Sequence, residues 1–289
     1  MFPVVFSIGR FTVTSFGLMM FVSFIVGAWI LGKQLRRYSM PPELAWDLLA
    51  WIAIGGIVGA KLYYVGLHWD DFLASPVRSL FSRGGLVWYG GFIGGVLAYW
   101  WQIRRRKLPM AVMFDATAPA LALGIATGRL GCFLVGDDYG LPTDAWYGVA
   151  FPEGSPPSSA GYLRSVGADI PASIPDTQIM AVHPTQLYEI VIALIMFAIL
   201  WKIAGRAHRQ GHLFGLFMMM YAVERFFIEF VRAKSDRIVL GLSTSQVMSM
   251  IVLGIGIWLF TRSGTPPAPI GGPESGETGA RRKPARAGR

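Results

Sequence analysis

Residues 211–230 read GHLFGLFMMMYAVERFFIEF, and the fold turns on this stretch. It has the length and apolarity of a membrane span of about 20 residues, yet Arg225 and Glu229 lie inside it. An ionised side chain at the bilayer centre costs roughly 2.5 kcal/mol or more, so such residues face a bundle interior or a wet cavity. The two are four positions apart. At about 100° per residue, Tyr221, Arg225, Glu229 and Arg232 fall within one narrow arc of the helical wheel. A polar stripe of this kind predicts a membrane protein with polar work to do inside the bilayer.

The rest of the chain agrees. Of its 289 residues 53% are hydrophobic and only 15% charged, which argues against two soluble domains. The net charge of +9 is not spread as a nucleic-acid footprint, because the basic residues form short clusters between apolar runs. Seven spans are expected, at 12–32, 44–66, 86–103, 112–133, 186–203, 211–231 and 243–261. Lys33, Arg36 and Arg37 follow the first, and Arg104, Arg105, Arg106 and Lys107 follow the third. Lys202, Arg206 and Arg209 follow the fifth, and Arg262, Arg281, Arg282 and Lys283 follow the seventh. By the positive-inside rule these segments are cytoplasmic, the N-terminus is outside and the C-terminus is inside. No removable signal peptide is expected, since no basic segment precedes the first apolar run.

The expected architecture is therefore an all-α integral membrane protein, with a membrane domain over 1–262 and a disordered basic tail over 263–289. The loop at about 135–185 is long and rich in Pro, Gly, Ser and Asp, and predicts a small external head. Gly55/Gly59, Gly90/Gly94, Gly91/Gly95 and Gly124/Gly128 have helix-packing spacing. The doublets Gly84-Gly85, Gly90-Gly91 and Gly94-Gly95 around Tyr89 are denser than packing needs. Cys132 stands alone, so it forms no internal disulfide. The four His show no metal-ligand spacing beyond His208/His212, which reads as a solvated helix start among basic residues.

Polar candidates fall at one depth. At 1.5 Å per residue, Arg129 is roughly 25 Å and Arg225 roughly 21 Å from the cytoplasmic ends of their spans. Trp88 and Tyr89 open the third span, and His183-Pro184-Thr185 opens the fifth, on that same outer side. Two guanidiniums at one level suit an anion, and Arg binds phosphate in bidentate fashion. Plainer readings exist for each residue: a structural Arg225–Glu229 ion pair, a snorkelling Arg129, interfacial Trp88 and Tyr89, a loop-capping His183, and solvated Asp137 and Asp138. Their agreement in depth favours a site.

Several motifs resemble the prolipoprotein diacylglyceryl transferase family: Phe6-Ser-Ile-Gly9 with Gly17-Leu-Met19, Gly84-Gly-Leu-Val-Trp-Tyr-Gly-Gly91, Gly128-Arg-Leu-Gly-Cys-Phe133, His183-Pro-Thr-Gln-Leu-Tyr-Glu189 and Arg225-Phe-Phe-Ile-Glu-Phe-Val-Arg232. They occur in the family's order over residues 1 to about 260. The resemblance implies a seven-helix enzyme of the bacterial inner membrane that moves the diacylglyceryl group of phosphatidylglycerol to the lipobox cysteine in the signal peptide of a prolipoprotein. It implies a thioether product and released glycerol phosphate, with membrane lipids as surroundings, no nucleic acid, no metal and no cofactor. In it Arg129 matches the arginine associated with phosphatidylglycerol, Arg225 and Glu229 an essential pair and Gly140 a family glycine. The expected catalytic residues are Arg129, Arg225, Glu229 and Tyr89, and the expected substrate-binding residues Arg129, Asp137, Gly140, His183, Tyr188 and Glu189. Three positions depart from the family pattern: Tyr89 replaces a histidine, Cys132 an asparagine and Phe16 a tyrosine. A histidine-base mechanism therefore does not carry over. A transporter or lipid scramblase would use a similar arginine pair, but the chain has no internal repeat. A retinal receptor would need a lysine on the seventh span, which has none.

Overall fold

Lipid offers no partner to a backbone N–H or C=O, so the apolar runs form helices, whose hydrogen bonds are internal. The computed structural model describes residues 2–8, 11–81, 87–233, 237–239 and 241–262. Gly9, the Gly84-Gly85 doublet and the expected tail at 263–289 lie outside the described residues. The chain starts as an antiparallel hairpin, β1 (Val4–Ile8) and β2 (Phe11–Thr14). Then follow α1 (Ser15–Arg37), α2 (Leu44–Leu67), the short α3 (Trp69–Ala74) and α4 (Pro76–Phe81), α5 (Trp88–Arg105) and α6 (Met110–Val135). The long loop holds β3 (Val149–Ala150), α7 (Ala160–Ser165) and β4 (Ala181–Val182). After it come α8 (Thr185–Ala204), α9 (His212–Ile228), β5 (Arg237–Val239), β6 (Leu242–Ser243) and α10 (Thr244–Thr261).

Five of these helices, α1, α2, α6, α8 and α10, are long and apolar enough to cross a membrane. The protein is thus mostly helical and multi-pass. The expected third and sixth spans are also helical, as α5 with 18 residues and α9 with 17. The first expected span began too early. Phe11-Thr-Val-Thr14 alternates like a strand, and Thr14 caps α1 by accepting from the Gly17 N–H at 3.1 Å. At its other end α1 runs on to Arg36 and Arg37, whose charges suit a helix C-terminus.

Helices α2 and α5 pack through glycine. A Cβ on Gly59 would stand 2.3 Å from the Gly90 carbonyl oxygen, and one on Gly94 would stand 2.2 Å from that of Gly55. Any side chain there would push the helices apart, as the spacing predicts. A Cβ on Gly124 would meet nothing within 4 Å and one on Gly128 only the Ser23 hydroxyl at 3.9 Å, so this pair makes no such close seam. A pair absent from the prediction, Gly215 and Gly256, brings α9 against α10.

The two ends of the bundle differ in chemistry. At one end the basic clusters stand over tryptophan rings: Lys33 over Trp29, Arg37 over Trp201, Arg104 over Trp100, Arg105 over Trp101 and Arg262 over Trp258. That is the pattern of interfacial anchors. Asp115 accepts there from the Gly211 and Phe214 N–H groups at 2.7 and 2.8 Å, so it satisfies the first turn of α9. His208 is buried beside it, 3.9 Å from Asp115 and 3.0 Å from the Tyr38 hydroxyl, which corrects the reading of a solvated histidine. The opposite end carries the expected head. Tyr139, Phe151, Ala160, Leu163, Ile170, Val182 and Ala233 give it a hydrophobic core of its own.

Candidate functional site

The polar groups meet at the head end. Arg129 is near the end of α6, Glu189 near the start of α8, Arg225 near the end of α9 and Ser245 at the start of α10. Glu189, a residue only 3% exposed, joins the two guanidiniums. Its Oε2 lies 2.9 Å from Arg129 Nε and its Oε1 lies 3.6 Å from Arg225 Nη1. Arg225 Nη2 also pairs with Glu229 Oε2 at 3.1 Å and donates to Ser245 Oγ at 3.2 Å. On the other side, Arg129 Nη1 reaches Asp138 Oδ2 at 2.9 Å, and Asp138 Oδ1 pairs with Arg232 Nη2.

The result is an alternating chain: Arg232, Asp138, Arg129, Glu189, Arg225, Glu229. Three cations face three anions, so the buried network is formally neutral. Its members come from α6, α8, α9 and the turns that follow α6 and α9. Asp138 is its most accessible member, with a side chain 36% exposed beside an Arg232 side chain at 2%.

The turn that delivers Asp138 is specified locally. Gly136 takes φ +74° as the C-cap of α6, a left-handed conformation that glycine adopts without penalty. Asp138 takes φ +58°, uncommon outside glycine although aspartate is among the residues that tolerate it. Two residues of the motif at 183–189 hold this turn: Thr185 donates to the Asp138 carbonyl at 2.7 Å, and Gln186 to the Asp137 carbonyl at 2.5 Å. Thr185, Gln186 and Glu189 share a face of α8 at i, i+1 and i+4. The motif therefore fixes the loop with its first turn and bridges the arginines with its second.

Gly140 lies where three chain segments cross. It donates to the His183 carbonyl at 2.9 Å and pairs across to Arg232, and a Cβ there would stand 2.4 Å from the Val231 carbonyl oxygen. Its lack of a side chain lets the stretch after Asp138 pass between His183 and the end of α9. His183 and Tyr188, joined at 3.2 Å and edge-on to each other, form an aromatic group with Tyr147. Cys132 Sγ is 3.9 Å from Arg129 Nη1 and lies with one oxygen each of Asp137 and Asp138 in a group within 4.8 Å. Burial raises the Asp137 carboxyl above the usual carboxylate range, although an interaction with Cys132 opposes this.

Tyr89 has no contact with Arg129 or Arg225 among the described residues. It stands 65% exposed at the start of α5, edge-on to Trp88, and makes no hydrogen bond among the described residues. Its helix packs on α2 through glycine, whereas Arg129 and Arg225 stand on α6 and α9. The sequence reading weighed Asp138 and Arg232 without assigning either a role in the site, and passed over Glu224 altogether. Glu224 carried a signal: it is a second carboxylate within the apolar stretch, next to Arg225.

A family model described as prolipoprotein diacylglyceryl transferase matches residues 3–262. The chain belongs to that family. Among curated relatives, the phosphatidylglycerol–prolipoprotein diacylglyceryl transferase of Pseudoalteromonas atlantica is 31% identical over 285 residues, 94% of each chain. Proteins of the same name from Gloeobacter violaceus and Nitratidesulfovibrio vulgaris are 34% and 32% identical, over 90% of this chain and 93% of theirs. Membership makes the protein a transferase. In this member the buried arginine–carboxylate chain occupies the end of the bundle where the family motifs converge.

Proposed function

We propose that the protein transfers the diacylglyceryl group of phosphatidylglycerol to the cysteine thiol in the signal peptide of a prolipoprotein. The reading extends what the relatives' names state to this chain, and one observation carries it: Glu189 holds Arg129 and Arg225 at a common point. Two guanidiniums converging there, with a neutral network around them, form a seat for one phosphate at headgroup depth. Burial strengthens each interaction with the charge that develops on the leaving group.

In the reaction a carbon–sulfur bond forms between the cysteine and the glycerol carbon. The carbon–oxygen bond to phosphate breaks, and its electron pair leaves on the glycerol phosphate. The thiol proton passes to that phosphate or to water. A free thiol has a pKa near 8.5, so the nearby guanidiniums promote the step by favouring thiolate. They also stabilise the phosphate as it departs. Asp138 is the most accessible member of the network, and its withdrawal from Arg129 makes room for the lipid phosphate without separating the pair on Glu189. Tyr89, exposed at the start of α5, contacts bound substrate rather than the arginines, and His183 and Tyr188 line the head side. Neither a metal nor an organic cofactor enters this scheme.

The same reading places seven spans in the bacterial inner membrane, with the N-terminus outside and the tryptophan-anchored basic end in the cytoplasm. Residues 1–262 form the catalytic membrane domain and 263–289 a basic tail. Purified protein mixed with phosphatidylglycerol and a lipobox peptide tests the activity. The peptide should gain the mass of a diacylglyceryl group; lipid movement without a change in peptide mass would indicate a transporter instead.

A further inference from the structure

A groove of about 660 Å³ runs between α8, α9 and α10. Its head end is marked by Tyr188 and Ile228, sequence neighbours of Glu189 and close to Arg225, so it is continuous with the arginine cluster. Along α8 it extends from Tyr188 to Ile199, about 16 Å at the helical rise of 1.5 Å per residue. Its walls are aliphatic, methionine and aromatic side chains such as Ile192, Ile195, Met220 and Phe227. One lining group breaks the pattern. Glu224 is 8% exposed, and its Oε1 is buried without a hydrogen-bond partner among the described residues. Glu224 stands among these apolar walls one residue from Arg225, and in its protonated form a carboxyl has one O–H to donate.

We propose that this groove seats the diacylglycerol part of the lipid whose phosphate lies on Arg129 and Arg225, and that Glu224 donates a hydrogen bond to one of its ester carbonyls. The assignment rests on the function proposed above. It follows from the order of chemistry along the groove. A phospholipid presents phosphate, then ester, then hydrocarbon, and the protein presents Arg225 and Arg129, then Glu224, then the apolar channel. Acyl chains carry no acceptor below the esters, so a lone donor near the phosphate end has only the ester carbonyls to meet. Glu224 is thus a specificity determinant for ester-linked lipid.

The test compares phosphatidylglycerol with its ether-linked analogue, which keeps phosphate and chains but lacks both carbonyls, using a lipobox peptide as acceptor. Wild-type protein should prefer the ester by roughly three- to tenfold in kcat/KM, the size of one net hydrogen bond. Glu224→Leu should lose that preference by slowing the ester reaction alone. Glu224→Gln, which retains a donor, should keep most of it. Glu224→Leu removes an unpaired buried polar group, so it is expected to fold at least as well as the parent. A Leu variant that keeps the ester preference, or slows both lipids equally, overturns the assignment while leaving the transferase reading intact. A wild-type protein that transfers from neither lipid overturns both.

Discussion

Glu189→Gln is the most informative single substitution, because it alters charge but hardly any volume. In the native protein the Glu189 carboxylate lies 2.9 Å from one guanidinium and 3.6 Å from another, nearly out of contact with solvent. Removing one member of a buried ion pair costs about 3–5 kcal/mol, because the partner stays buried with its charge uncompensated. Here each arginine keeps a second carboxylate, Asp138 for Arg129 and Glu229 for Arg225. The loss should therefore fall near the lower bound, about 3 kcal/mol. With about 2–4 °C per kcal/mol for a chain of this size class, the midpoint of thermal unfolding in detergent should fall by roughly 6–12 °C. The variant also leaves a net positive charge where the parent is neutral. Added inorganic phosphate should then raise its midpoint more than it raises the parent's, by the linkage of binding to stability. Turnover should drop because the two arginines lose their common anchor. An unchanged midpoint with unchanged turnover would refute the view that Glu189 holds the pair together.

Two further substitutions probe the frame around the site. Gly140→Ala places a Cβ against the Val231 backbone, so it should destabilise by about 1–3 kcal/mol and disorder the head, seen as faster proteolysis within 136–184. Asp137→Asn should be neutral or stabilising. Burial raises this carboxyl's pKa in the folded state above its unfolded value, so the folded state binds the extra proton and stability falls as pH rises through the folded pKa. The parent should show that decline and the Asn variant should lack it, measured as unfolding midpoint against pH.

Much of the fold could be read from the sequence because lipid constrains it so tightly. Long apolar runs have few physical meanings in a membrane, and the glycines at 55/59 and 90/94 marked a close helix seam, although those at 124/128 did not. The Arg225–Glu229 pair was legible for the same reason, as two charges one turn apart in an apolar stretch. The bridge through Glu189 was not, because it joins α8 to two distant helices and depends on their packing. Arg232 was legible as part of the polar stripe with Arg225 and Glu229, but its pairing with Asp138 was not, because it depends on the left-handed turn at 136–138. Tyr89 shows the converse limit. Depth along a span can be counted from the sequence, whereas the choice of wall depends on which helices pair, and α5 pairs with α2. The hairpin at 4–14 was hidden because its apolar strands merge with the first span, and only Thr14 marks the boundary.

The central claim is that Arg129 and Arg225 grip one lipid phosphate together. It is tested most directly by measuring phosphatidylglycerol binding to Arg129→Gln, Arg225→Gln and the double variant in otherwise phosphatidylcholine nanodiscs. Two groups acting on a single phosphate should be strongly coupled, so the double variant should bind little worse than either single one. Losses that simply add would mean that the two arginines serve separate partners, and the shared phosphate seat would have to be abandoned.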